Sequence, residues 1–174
     1  MLLNYRLLNA LGFLGCLAGE LFVIVYLQQM RGYEPCPMCI FQRVALAGTG
    51  LAFLLAALHG PQGRGRWGYA ALTVLATAIG AFIAGRHVWL QSLPPDQVPA
   101  CGPTLDYLLS FMPVTEVVMT ILKGDGNCAK IDAQWLGLTL PAWSLVGFIG
   151  FALYALLIPV IAPVIANSTE RRNA

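Results

Sequence analysis

The chain has 174 residues, of which 58% are hydrophobic and only 10% charged, against about 25% charged in soluble domains. A net charge of +2 and a mean hydropathy of +0.71 exclude a disordered chain and a nucleic-acid binder with a basic face, and they make lipid the main solvent. The length suits one integral membrane domain over residues 1–174.

The first apolar run, residues 7–27, holds one ionisable side chain, Glu20. It is too long for a cleaved signal peptide and has no small-residue cleavage site, so it is read as a span. The second, residues 40–58, has Arg43 near its start, and the third, residues 67–90, has Arg86 and His87 near its end. The fourth, residues 143–165, has Pro159 and Pro163 near its exit. About 20 helical residues at roughly 1.5 Å each cross a hydrocarbon core of about 30 Å. None of the runs alternates as a barrel strand does, and hydrocarbon admits only helices or closed barrels. The expected fold is an all-α membrane protein, a four-helix transmembrane bundle. Glycines within the runs, such as Gly12, Gly15, Gly80 and Gly147, let helix backbones approach closely.

Arg6, Arg64, Arg66, Arg171 and Arg172 fall on one side of these spans, and Arg31, Lys123 and Lys130 on the other. The side richer in Lys and Arg faces the cytoplasm. Both termini and the loop 60–66 are therefore expected inside, and loops 28–39 and 91–142 outside, together with Glu34, Asp96, Asp106, Glu116, Asp125 and Asp132. The loop 91–142 is too long for a connector and too rich in proline for one helix. Within it Leu105, Leu108, Leu109 and Met112 repeat at helical spacing, and so do Val114, Val117, Val118, Ile121 and Leu122 before Lys123 and Gly124 end the run. At least the second segment is predicted to be a short amphipathic helix in the membrane interface, with burial against the bundle's outer end as the alternative.

Of five cysteines, Cys16 lies deep in a span and reads as a small apolar core residue. The other four fall on the outer side in two pairs, Cys36 with Cys39 and Cys101 with Cys128, and an outer, oxidising compartment is where disulfides persist. Cys36-Pro37-Met38-Cys39 is a C-x-x-C motif, whose tight loop favours exchange over static bracing. Pro37 suits a first helical position, so Cys36 is the expected N-cap. Cys39 then occupies the first turn of the second span, where free N–H groups stabilise an anion. Arg43 follows at i+4 on the same face and adds positive potential where screening is weak; the plainer reading has it reaching for headgroups. Cys101 and Cys128 sit in proline- and glycine-rich surroundings and should be exposed and mobile.

The run Cys36-Pro37-Met38-Cys39-Ile40-Phe41-Gln42-Arg43 resembles the signature of the bacterial disulfide bond formation protein B (DsbB) family. So do Arg86-His87-Val88-Trp89-Leu90-Gln91 at the end of the third span, and Gly126-Asn127-Cys128-Ala129 with Trp135-Leu136-Gly137-Leu138 and Pro141 before the fourth. The resemblance covers nearly the whole chain. It implies an inner-membrane thiol oxidase that reoxidises a periplasmic DsbA-type thioredoxin-fold partner and passes two electrons to ubiquinone or menaquinone. It also implies that Cys101 forms the mixed disulfide with that partner and that Cys128 is its mate. Electrons would then move to Cys36 and Cys39, with Cys39 facing the quinone. Arg43, His87 and Gln91 would be the quinone-binding residues. No metal and no nucleic acid are expected; Glu20 reads as a proton site, a structural site or a partner of a polar neighbour, and is assigned no role. A zinc site on the four outer cysteines is the rival of a different class, but zinc knuckles usually come as two C-x-x-C units, and Cys101 and Cys128 are far apart in sequence. A structural subunit braced by inert disulfides leaves Arg43 unexplained. A quinone-linked reductase of the vitamin-K-epoxide type does not share the Ile40-Phe41-Gln42-Arg43 continuation.

Overall fold

The computed structural model of the protein describes residues 2–103, 105–131 and 133–173, with side chains described between Tyr5 and Pro163. Asp132, named among the outer acids, lies outside the described residues, as do the side chains of Arg171 and Arg172.

Four helices are long and apolar enough to cross a membrane. The first is α1 (Leu2–Leu21), which runs on without a break as a π-helical segment, Phe22–Met30. The second, α2 (Pro37–His59), starts three residues before the apolar run because its cap is built from the motif itself. Cys36 is extended, with φ −66° and ψ 161°, its sulfur accepts the Cys39 N–H, and Pro37 opens the helix. Gly60 ends it in the left-handed region at φ 58°, where a Cβ would be strained. The third is α3 (Gly65–Gln91). The fourth is α7 (Leu140–Asn173), which carries Pro159 and Pro163 within it.

Around the bundle α1 packs on α2, α2 on α3, α3 on α7, and α7 closes the ring against α1. Tyr5, Cys16, Phe53, Ala56, Ala155, Ile158 and Ala162 form the buried centre, which confirms Cys16 as a core residue. Close approach depends on glycine at two places. A Cβ on Gly12 would sit 2.8 Å from the Phe53 ring, and one on Gly80 would run into the Phe148 ring. The outward faces carry exposed Leu51, Leu75, Phe82 and Leu153, as lipid-facing helices must, since lipid tails are as apolar as leucine.

The segment between α3 and α7 caps one end of the bundle with α4 (Leu105–Phe111), α5 (Val114–Lys123) and α6 (Gly126–Ala129). A two-residue-per-strand hairpin follows, β1 (Gln134–Trp135) paired antiparallel with β2 (Leu138–Thr139). This hairpin has no signal in the sequence. Its turn places Leu136 at φ 53° and Gly137 at φ 79°, and a leucine in the left-handed region gives no turn signal of its own.

Both amphipathic segments are helical, as their spacing predicted. Val117 and Ile121 of α5 are buried with Met38, Ile83, Leu90, Leu108 and Cys128, so this face packs on the end of the bundle where α2 begins and α3 ends. Val114 and Met119 of α5, with Tyr107, Leu109 and Phe111 of α4, remain exposed and form the kind of apolar face that lies at headgroup depth. Arg86 fastens α5 to α3. Its Nε donates to the Leu122 carbonyl at 3.1 Å and its Nη2 to the Lys123 carbonyl at 3.0 Å, and its guanidinium lies 4.0 Å over the Trp89 ring. The double substitution Val117→Asp plus Ile121→Asp would bury two unpaired carboxylates beside Cys128. It is expected to release the loop and to lower the thiol-oxidase turnover that the resemblance implies by more than tenfold in membranes, because burying an unpaired charge costs several kcal/mol. Unchanged turnover would show that α5 does not hold the second cysteine pair in place.

Candidate functional site

The C-x-x-C loop brings its two sulfurs together at the start of α2. Cys36 Sγ lies 3.2 Å from Cys39 Sγ and 3.4 Å from the Cys39 backbone nitrogen. The first turn of α2 thus points the Cys39 N–H at the Cys36 sulfur. All five cysteines are free thiols.

Cys128 is buried, and its sulfur belongs to a cluster in which Cys36 Sγ, a His87 ring nitrogen and Cys128 Sγ all lie within 4.8 Å of one another. The sulfur chemistry is therefore contiguous, from Cys128 to Cys36 to Cys39. A contact with the Cys36 thiol, together with burial, pushes the Cys128 thiol well above the ordinary cysteine range. Cys101 is exposed, and its segment is stitched to the start of α6. Gly126 N–H donates to the Ala100 carbonyl at 3.1 Å, and Asn127 Nδ2 donates to the Gly102 carbonyl at 3.1 Å. A Cβ on Gly126 would lie only 3.1 Å from Cys101 Sγ, so glycine is what allows this chain segment to dock against α6. Of the pair expected to be exposed and mobile, Cys101 is exposed, whereas Cys128 is held inside by Asp125, which caps α6 by accepting the Cys128 N–H at 3.1 Å.

On its other side Cys39 faces a cavity of about 460 Å³ between α1, α2 and α7. The walls are mostly apolar, with Leu27, Trp135 and Phe148 among them, and the polar atoms come from a few side chains that include Glu20, Gln42 and Arg43. Arg43 Nη1 donates to Gln28 Oε1 at 2.7 Å, while Arg43 Nε is buried without a partner, and so is Glu20 Oε1. The π-helical segment supplies Gln28, Phe22, Val23 and Leu27. Wider π turns rotate side chains off the ordinary helical register and often mark functional sites; here the turn aims Gln28 at Arg43. The hairpin contributes Trp135 to the cavity wall. Trp143 Nε1 donates to the Trp135 carbonyl at 3.0 Å, and the Trp135 ring lies 5.7 Å from that of Phe22.

The expected cofactor-binding residues separate in space. Arg43 lines the cavity, whereas His87 and Gln91 are not among its lining residues. His87 Nε2 donates to the Cys128 carbonyl at 2.9 Å, and its Nδ1 accepts from Gln42 Nε2 at 3.0 Å. Because a carbonyl can only accept, Nε2 carries a proton. Cys36 Sγ lies 3.8 Å from the same nitrogen. His87 thus ties α3 to the Cys128 turn, and Gln42 orients it. Gln91 Nε2 donates to the Lys130 carbonyl at 3.3 Å, one step further along the same loop. Gln28, Gln42 and the placement of Glu20 escaped the sequence reading. An intramembrane acid in a run with no other charge was the signal available for Glu20.

The chain is similar to known proteins over most of its length. The family model described as "Disulfide bond formation protein DsbB" matches residues 5–158. The disulfide bond formation protein B of Xanthomonas campestris pv. campestris (strain 8004) is 50% identical over 154 residues, 88% of this chain and 89% of that protein. The proteins of the same name from Saccharophagus degradans and Marinobacter nauticus are 45% identical over 147 residues and 50% identical over 143. The first of these alignments covers 84% of this chain and 88% of the relative, and the second 82% and 84%. A match of this length, on a helical membrane bundle that gathers Cys36, Cys39 and Cys128 at one end, places the chain in the DsbB family of disulfide bond formation proteins.

Proposed function

We propose that the protein is a quinone-dependent thiol oxidase of the bacterial inner membrane, with its four outer cysteines facing the periplasm. It reoxidises a soluble DsbA-type dithiol partner and so supports disulfide formation in exported proteins. The observation that carries this reading is the position of Cys39, which contacts Cys36 Sγ on one side and an apolar cavity holding Arg43 on the other.

The sulfur steps follow from access and charge. Cys101 is the exposed sulfur, so a thiolate of the partner attacks a Cys101–Cys128 bond at Cys101 and expels Cys128 as a thiolate. That thiolate is unfavourable where it stands, because Cys36 and burial oppose its charge. It is correspondingly nucleophilic, and Cys36 lies beside it. Attack on Cys36 of a Cys36–Cys39 bond forms a Cys36–Cys128 bond and expels Cys39. Of the sulfurs involved, Cys39 has the best-stabilised leaving group, with the α2 N-terminus behind it and Arg43 one turn further on.

The cavity fits a quinone. Its volume lies in the range of small-molecule pockets, its walls are largely apolar, and buried Arg43 Nε and Glu20 Oε1 await polar partners. A bound ubiquinone or menaquinone would supply a two-electron acceptor. Arg43 would hold its carbonyl oxygen, Gln28 would fix the Arg43 guanidinium, and the Trp135 hairpin would exclude water. His87 and Gln91 would act by holding the Cys128 loop over Cys36.

The test is to mix the fully oxidised protein with a reduced thioredoxin-fold partner, quench with acid and map the disulfides by mass spectrometry. The expected products are a mixed disulfide on Cys101 and a Cys36–Cys128 bond. Partner bound to Cys36 or Cys39 would contradict the route.

A further inference from the structure

Glu20 is a cavity-wall residue that this electron route leaves without a task. It lies in the first span and lines the same cavity as Cys39 and Arg43, with Oε1 buried and unpartnered. The titratable and charged groups around it are few. Cys16 stands one turn earlier on α1, and Cys39 and Arg43 come from α2. Glu34 and Tyr33 line the cavity from the loop, and Glu34 is exposed to solvent. The cavity residues contributed by α7 carry no titratable group. Arg43 is the only cation among the described lining residues, and it acts electrostatically on both Glu20 and Cys39.

One cation thus serves two acids in a medium of low dielectric, where net charge is costly. With Cys36 and Cys39 joined, Glu20 carboxylate and Arg43 balance. When that bond is reduced, a Cys39 thiolate takes over the balance, and the carboxylate becomes an excess charge. We propose that Glu20 is a redox-linked proton site, which takes up a proton as the Cys36–Cys39 bond is reduced and gives it up as the bond re-forms.

The step balances. Two electrons and two protons arrive from the partner's dithiol and break one S–S bond. The partner's second thiol attacks the mixed disulfide and leaves with its own S–S bond, and the freed Cys101 regains its bond to Cys128 and expels Cys36. One proton then ends on Cys36 as a thiol and the other on the Glu20 carboxyl, with Cys39 as the thiolate. When the S–S bond re-forms, the two electrons go to the quinone, and the protons from Cys36 and Glu20 accompany them to give the quinol. The proton from Glu20 is thereby delivered inside the cavity rather than drawn from water across the hydrophobic wall. This role rests on the acceptor reading above, although the proton uptake itself needs no quinone.

The experiment uses the full-length protein in detergent, freed of quinone and reduced with a phosphine, with reduced-minus-oxidised infrared spectra recorded. The expected result is a gained protonated-carboxyl band that shifts in heavy water, disappears in Glu20→Gln and survives in Glu34→Gln. With partner and ubiquinone added, Glu20→Gln should turn over about 100-fold more slowly, the scale of a lost proton-transfer group, and Glu20→Asp should recover part of that loss. Capture of the partner at Cys101 should be unchanged. A missing band, or one that persists in Glu20→Gln, overturns the proposal. If Glu20→Gln does not fold, isotopically labelled glutamate in a Glu34→Gln, Glu116→Gln, Glu170→Gln background, which leaves Glu20 as the one glutamate, gives the same readout, and a band that fails to shift overturns it. A band without quinone turnover would leave the proton site standing and refute the acceptor reading; turnover without the band would do the reverse.

Discussion

Replacing Cys39 with serine is expected to abolish quinone reduction down to the uncatalysed background while leaving the protein able to capture its dithiol partner at Cys101. Cys101 and Cys128 are untouched by the substitution, and Cys101 stays exposed on its docked segment, so the partner's thiolate still finds its sulfur. The expelled Cys128 thiolate then meets a Cys36 thiol instead of a disulfide, and exchange stops. The mixed disulfide should accumulate and be visible on non-reducing gels, with no quinol formed. A serine is close in size to cysteine and can keep its place in the first turn of α2, so stability should change little. Normal turnover of Cys39→Ser would refute the electron route, because no other described sulfur both touches Cys36 and lines the cavity.

Arg43→Gln is expected to lower kcat/KM for quinone by about 100- to 1,000-fold, the cost of removing one preorganised donor from a water-poor site. Both parameters should suffer, since Arg43 serves binding through its free Nε and stabilises charge at Cys39. Arg43→Lys should recover only part of the loss, because an ammonium keeps the charge but not the planar fork that can bond Gln28 and a ligand together. Gln28→Leu should cost about tenfold, the worth of one hydrogen bond to a charged group. That value is best read from KM, because Gln28 touches Arg43 and no sulfur. If Arg43→Gln leaves quinone kinetics intact while slowing partner capture, the cavity is not the acceptor site.

Much of the architecture was legible because a membrane span announces itself through length and apolarity, and the cap of α2 was legible because Cys36 and Pro37 are cap chemistry in their own right. Arg43 could be placed beside Cys39 by helical spacing alone. Other features depended on tertiary geometry. The π-helical stretch is a matter of hydrogen-bond register, and the side chains of residues 22–30 give no sign of it, so Gln28 could not be assigned to Arg43. His87 and Gln91 end the third span in the sequence, but their partners are carbonyls at Cys128 and Lys130 that become neighbours only when the long loop folds back. The burial of Cys128 arises in the same way, since its flanking Gly126 and Asn127 read as an exposed turn until α6 docks under Met38 and Leu90. The periodicity of α5 fixed which face is apolar, yet it could not say whether that face meets lipid or protein.

The most direct test of the account is quinone absorbance. Purified protein in detergent is given reduced DsbA-type partner and ubiquinone, and the loss of the quinone band is followed, with menaquinone as a second acceptor. Catalytic loss of quinone is expected, with one partner disulfide formed per quinone consumed, absent without the protein and absent in Cys39→Ser. Oxidation of the partner with no consumption of either quinone would contradict it.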